Sequence, residues 1–117
     1  MERSRNWQRG GKVSTYDGEF VRGEKHGEGK YRFEEEWEYE GHFSNNQING
    51  KGTMRYKNGE TYTGDFKDGR KDGFGIYKWT DGSSFEGWYV DDRKEGHGKF
   101  RSSDNKIFEG QWHSGKR

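Results

Sequence analysis

The chain has 117 residues, room for one domain. Hydrophobic residues make up 24% of it and charged residues 37%, and Leu, Ala, Pro and Cys are absent. So few aliphatic side chains point towards disorder, but 17% aromatic residues and a net charge of only +1 oppose that reading. With 20 glycines and neither Leu nor Ala, the composition favours short strands and turns over a helical fold. Without cysteine there are no disulfides, no thiol chemistry and no thiolate metal site. The near-neutral charge gives no general attraction for nucleic acid. No apolar run approaches a membrane span or the core of a signal peptide, so the expectation is a soluble, cytoplasmic protein.

Residues 1–15 carry Arg3, Arg5, Arg9 and Lys12 against Glu2. They read as a basic tail or an edge strand around Val13–Thr15, with Trp7 as a candidate anchor. From residue 16 onward the sequence is periodic. Tyr16, Tyr39, Tyr62, Phe85 and Phe108 stand 23 residues apart. Two positions later come Gly18, Gly41, Gly64, Gly87 and Gly110, and two further on Phe20, Phe43, Phe66, Tyr89 and Trp112. A G-x-G pair then recurs at Gly27/Gly29, Gly50/Gly52, Gly73/Gly75 and Gly96/Gly98. The chain thus divides into four full repeats, 16–38, 39–61, 62–84 and 85–107, and a half-repeat, 108–117.

Within a repeat, the expected pairing sets Tyr62 opposite Trp79, Gly64 opposite Tyr77 and Phe66 opposite Gly75, so that rings cover cross-strand glycines. On the other face this register opposes Thr63 to Lys78, Asp17 to Arg32, Glu40 to Arg55 and Glu86 to Arg101, with Glu19–Lys30 next inward. Between repeats, three-residue loops at Lys57-Asn58-Gly59, Thr80-Asp81-Gly82 and Ser103-Asp104-Asn105 keep the rings on one face. Glu34-Glu35-Glu36 fits that turn poorly and is expected to be looser. The outcome is nine strands in one antiparallel sheet, roughly 40 Å long at the usual strand spacing.

The stretches "YTGDFKDGRKDGFG" and "FEGWYVDDRKEGHG" resemble MORN repeats, whose pattern is Y-x-G-x-[FW]-x-x-G-x-x-x-G-x-G. The resemblance covers about the last seven-eighths of the chain. Asn46 and Asp92 depart from it in place of the turn glycine, and "EEEWE" replaces an Asn-Gly or Asp-Gly turn. It implies an all-β ribbon, a single elongated antiparallel sheet of successive β-hairpins. It also implies an interaction role: protein partners, tethering to cytoskeleton, cilium or membrane, and in some members phosphoinositide binding.

A single sheet leaves its aromatic face without a cover, and twist curls that face into a trough. The candidate groove is lined by Tyr31, Phe33, Tyr56, Tyr62, Tyr77, Trp79, Phe85 and Phe100, and would take an extended or helical segment of another protein. The alternative site is a basic edge of broad loops carrying Lys25, Arg70, Lys71, Arg93, Lys94, Lys116 and Arg117, suited to anionic lipid headgroups. It faces an acidic edge of Glu34–Glu36, Asp81 and Asp104. The half-repeat "FEGQWHSGKR" leaves an edge strand where a homodimer forms or a longer parent chain continues. His26, His42, His97 and His113 fall at different repeat positions and make no zinc set, and His26 reads as a loop hydrogen-bonder. The run Glu34–Glu40 lacks EF-hand spacing and reads as a solvated hairpin with Trp37 and Tyr39 inward. The G-x-G pairs lack a following Lys-Ser/Thr and a helix, so they are not phosphate loops. With no convergent catalytic set, neither an enzyme nor a cofactor is expected. Trp88 points to the polar face, beside Lys99 and near Val90, as a stem contact or a second partner contact.

Overall fold

A computed structural model describes the backbone of residues 5–9 and 12–116 and the side chains of 14–116. Ten strands follow one another in chain order: β1 (Arg5–Arg9), β2 (Lys12–Val21), β3 (Glu24–Phe33), β4 (Trp37–Ser44) and β5 (Gln47–Tyr56), then β6 (Thr61–Lys67), β7 (Arg70–Lys78), β8 (Ser84–Val90), β9 (Arg93–Arg101) and β10 (Ile107–Trp112). They form one antiparallel sheet in which each strand pairs only with its sequence neighbours. The extents are 46 × 26 × 20 Å. Val13–Thr15 is not a separate edge strand. It is the start of β2, and β1 pairs against it with Trp7 opposite Ser14. The Trp7 anchor itself lies outside the described side chains, as do residues 1–4, 10 and 11.

Two kinds of turn alternate along the ribbon. Between repeats the expected three-residue loops are present, closed by Tyr56 N–H to Glu60 O at 2.9 Å and Trp79 N–H to Ser83 O at 3.0 Å. Gly59, Gly82 and Asn105 each hold a positive φ at the third position. The Glu34–Glu36 loop has the same length, since Phe33 pairs with Trp37, but Glu34 takes the positive φ at the first position. Within repeats the broad loops expected from the sequence do not exist. The strands run on to two-residue turns at Arg22-Gly23, Asn45-Asn46, Asp68-Gly69, Asp91-Asp92 and Ser114-Gly115, with φ positive at both residues of each. That is the type I′ geometry, whose twist matches the strands it joins.

The expected register is off by two residues on the far side of each repeat's bulge and by four beside the tight turn. Tyr62 lies opposite Tyr77 rather than Trp79, Gly64 opposite Gly75, and Phe66 opposite Lys71. Likewise Asp17 faces Lys30, Thr15 faces Arg32, Glu40 faces Thr53 and Glu86 faces Lys99. The cause is the two-residue turn, whose effect is half offset by a bulge in every full repeat. One residue of the first strand, Asp65 in the third repeat, spans three of the second, Asp72-Gly73-Phe74. An even shift, of two or of four, leaves every side chain on its expected face. The polar face therefore still carries ion pairs, among them Arg55–Glu40 at 3.7 Å, Lys30–Glu38 at 3.3 Å and Lys51–Asp65 at 2.9 Å.

The bulge also separates the tasks of the two glycines. Gly73 supplies a positive φ of 112° inside the bulge. Gly75 supplies space, because the Tyr62 ring lies directly over it. Tyr16, Tyr39 and Tyr62 each donate their hydroxyl to the carbonyl three residues on, at 2.8, 3.0 and 3.1 Å. That carbonyl belongs to the bulge, Glu19, His42 or Asp65.

These rings make the core. Phe20, Tyr16, Phe43, Tyr39, Phe66, Tyr62, Tyr89, Phe85 and Trp112 form an unbroken zigzag, each pair edge-to-face with centroids 4.9–5.7 Å apart. Tyr39 and Tyr62 are fully buried. Edge-to-face pairs contribute about 0.5–1.5 kcal/mol each beyond area burial. A core one ring thick thus replaces the missing second layer.

Candidate partner-binding groove

A second row of rings packs against this zigzag, on the same face. Phe33 stacks on Trp37 and Trp37 on Tyr31 at 5.2 and 5.5 Å; Tyr56 stacks on Tyr77 at 6.0 Å. Trp79 touches Tyr77 and Phe100 at 4.8 and 5.8 Å. Trp37, Tyr31, Tyr56, Tyr77, Trp79 and Phe100 are all half-buried against the core. The expected groove residues therefore divide. Tyr62 and Phe85 are floor, with almost no accessible surface. Tyr31, Phe33 and Tyr56 line an open hollow of about 750 Å³, while Phe85 and Phe100 border a smaller one of about 350 Å³. Tyr77 and Trp79 border neither hollow.

The large hollow sits where the second repeat departs from the others. Lys25, Ile48, Lys71 and Lys94 are equivalent positions, each beside a core ring; so are Tyr31, Met54, Tyr77 and Phe100. In the third repeat the Lys71 stem crosses the face, its ammonium 5.7–5.9 Å from the centroids of Tyr62, Tyr77 and Tyr89. In the second, Ile48 and Met54 are too short to do this, and both line the hollow, as Trp37 does. Ile48, Met54 and Trp37 are absent from the expected groove. Their signal in the sequence is that they break the repeat's own column.

The basic edge is likewise divided by the pleat. Lys25, Lys71 and Lys94 lie in strands and turn to the ring face. Arg70 and Arg93 are the strand residues next to them and turn the other way. Arg70 sits 3.6 Å from Asp91 and Lys71 3.6 Å from Asp92. Lys116 pairs beside His113, and Arg117 lies outside the described residues. On the opposite edge Asp81 accepts from the Ser83 N–H and hydroxyl at 2.9 and 2.5 Å, and Asp104 from the Ser102 hydroxyl. These bonds hold both carboxyls below their ordinary range.

Neighbouring turns interlock. The N–H of Asn46, Gly69, Asp92 and Gly115 donates to the carbonyl of Lys25, Ile48, Lys71 and Lys94 at 2.8–3.0 Å. Where the turn residue is Asn46 or Asp92, its side chain also accepts from the Lys25 or Lys71 N–H, at 3.1 and 2.8 Å. This explains the two departures from turn glycine. Burial pushes the phenols of Tyr56, Tyr62, Tyr77 and Tyr89 well up. The Tyr77 hydroxyl donates a hydrogen bond to Glu60 Oε1 at 2.5 Å.

The remaining candidates are placed as follows. His26 lies in β3, not in a loop, with its ring 6.4 Å from that of His42. His97 and His113 pair with Glu109 and Glu95, both at 2.9 Å. Among the described residues no three His, Asp or Glu side chains form a metal-holding group. Trp88 does point to the polar face, but its neighbour is Phe74, at 5.4 Å, and both rings are exposed. Trp37 and Tyr39 point inward as expected, onto the ring face.

The MORN repeat family model matches residues 16–35, 39–61, 62–84, 85–106 and 108–117. No curated protein matches the chain. MORN repeats generally take part in protein–membrane and protein–protein interactions. Five successive matches, each a hairpin or half-hairpin of the sheet described above, place the chain in the MORN-repeat family.

Proposed function

We propose that the chain is a non-enzymatic interaction module of the cytoplasm that takes a segment of another protein into its ring-lined groove. The observation that carries this reading is the 750 Å³ hollow at the second repeat, walled by Tyr31, Phe33, Trp37 and Tyr56 over Ile48 and Met54. Lys25, Lys71, Asp68 and Asp92 also line it, so the hollow joins aromatic walls to a charged rim, and a concave surface with an apolar part and a few polar groups is typical of binding sites. Its aromatic walls are of the type that anchors partners at hot spots. A lipid-binding edge has less support, because adjacent cations point to opposite faces and Arg70 and Lys71 already sit beside Asp91 and Asp92.

The test uses the repeat's own pattern. Ile48→Lys with Gly69→Asp copies the Lys71–Asp92 arrangement into the second repeat and fills the hollow. A photo-crosslinker at Tyr56, with one at Thr63 on the opposite face as control, identifies the partner segment in cells. The expected result is capture from Tyr56 and not Thr63, and an affinity reduced about tenfold or more in the filled variant. Capture from Thr63 alone, or full affinity in the filled variant, overturns the reading. Sedimentation with phosphoinositide vesicles, with reversal of Arg70 and Arg93 as control, decides the lipid alternative.

A further inference from the structure

The fourth repeat presents a lysine whose partner is missing from the pattern. Lys25 meets Asn46 at 3.3 Å, Lys71 meets Asp92 at 3.6 Å, and Ile48 is followed by Gly69, which needs no side chain to pair with it. Lys94 is also a lysine, yet the residue in the pairing position is Gly115. Among the described residues Lys94 has no carboxylate at ion-pair distance. The neighbouring Glu95 is on the other face, engaged with His113 and the Ser114 N–H, each at 2.9 Å. The Lys94 ammonium lies instead 5.1 and 5.5 Å from the ring centroids of Phe85 and Trp79. It borders the 350 Å³ hollow enclosed by Phe85, Phe100, Phe108, Trp112 and Gly115.

We infer that this hollow is a subsite for a carboxylate carried on an apolar stem, held by Lys94 as Asp92 is held by Lys71, and that the partner segment supplies it. The inference rests on the groove reading above and extends it to the chemistry of the partner at the C-terminal end. The carboxylate is an acidic side chain or a chain terminus, next to an aromatic or aliphatic group that packs on Phe100 and Trp112. One half-buried cation among rings suits a monoanion; a phosphate group needs several donors to replace its water. Burial, then the neighbouring Lys71, hold the Lys94 ammonium below the usual amine range. An incoming anion reverses that penalty.

The probe is 3-phenylpropionate, with 3-phenylpropan-1-ol as its uncharged counterpart, followed by NMR at the Trp112 indole and the Lys94 ε-methylene. The carboxylate is expected to bind about tenfold more tightly than the alcohol, as a charge-assisted contact would require. Lys94→Gln is expected to make the two probes equal. Gly115→Asp provides an internal carboxylate at a position whose φ of 87° resembles the 70° of Asp92, and is expected to abolish binding of the acid. Equal binding of the two probes by the parent chain, no response at Trp112, or a preference that survives Lys94→Gln overturns the inference. Each of those results leaves the hollow at Ile48 and Tyr56 untouched. Conversely, a partner that never contacts Tyr56 removes the groove reading, while the titration at Lys94 still decides this one.

Discussion

The ring of Tyr62 lies across Gly75, its neighbour diagonally over the strand, so closely that a Cβ on Gly75 would overlap the ring. The same relationship holds between Tyr16 and Gly29, Tyr39 and Gly52, and Phe85 and Gly98. Gly110 also belongs to the glycine row, facing Gly98, but a Cβ there would meet nothing. Gly75→Ala should therefore cost more than about 3 kcal/mol, since the ring has no second place to go. Gly110→Ala should be neutral or stabilising by about 0.5 kcal/mol through the unfolded chain. Chemical denaturation of the two variants checks this; equal losses would contradict it.

The hydroxyl of Tyr62 ties the bulge to the core, and the fourth repeat lacks it because Phe85 stands in the tyrosine column. Tyr62→Phe should lose about 1 kcal/mol with the fold unchanged. Phe85→Tyr should gain up to a similar amount by donating to the carbonyl of Trp88. Amide exchange near residues 88–98 should slow in the second variant, and an unchanged rate would show that this bulge carbonyl is already satisfied.

Alkaline stability follows from the buried phenols. Tyr39, Tyr62, Tyr77 and Tyr89 all have their pKa raised, mainly by burial, above the value near 10 of a free tyrosine. A raised folded-state pKa means the neutral form is favoured in the native state. Its stabilisation is intact below the unfolded pKa and is lost as pH rises towards the folded value. Tyrosinate absorbance should therefore rise cooperatively with loss of the sheet's circular dichroism signal. Independent titration of these four tyrosines in a still-folded chain would contradict it.

At the acid end the sign is opposite. Asp81, Glu95 and Asp104 have lowered pKa values, chiefly through hydrogen bonds from Ser83, Ser114 and Ser102. Their contribution is present above the unfolded carboxylate pKa and fades as pH falls through the folded value. All three are at the surface, so the effect is modest. The melting temperature should fall as pH drops below the ordinary carboxylate range, with a shallower slope in an Asp81→Asn/Glu95→Gln/Asp104→Asn variant.

Much of the fold was legible in the sequence because a repeat of 23 residues states the same local rule several times. Alternation placed Tyr62, Phe66 and Tyr77 on one face and Thr63 and Asp65 on the other, and Gly59 and Gly82 marked three-residue turns. These depend on side-chain period and on local φ, which neighbouring residues determine. The register, the tight turns and the bulge did not follow, because alternation cannot distinguish a slip of two residues from none. Only the pairing of whole strands decides that Asp65 spans Asp72-Gly73-Phe74, that Tyr62 therefore covers Gly75, and that Lys71 crosses the ring face instead of joining Arg70 at an edge. The groove is likewise a tertiary result: Ile48 and Met54 are ordinary apolar residues until their columns show a lysine stem and a ring in the third repeat where the second has left a hollow.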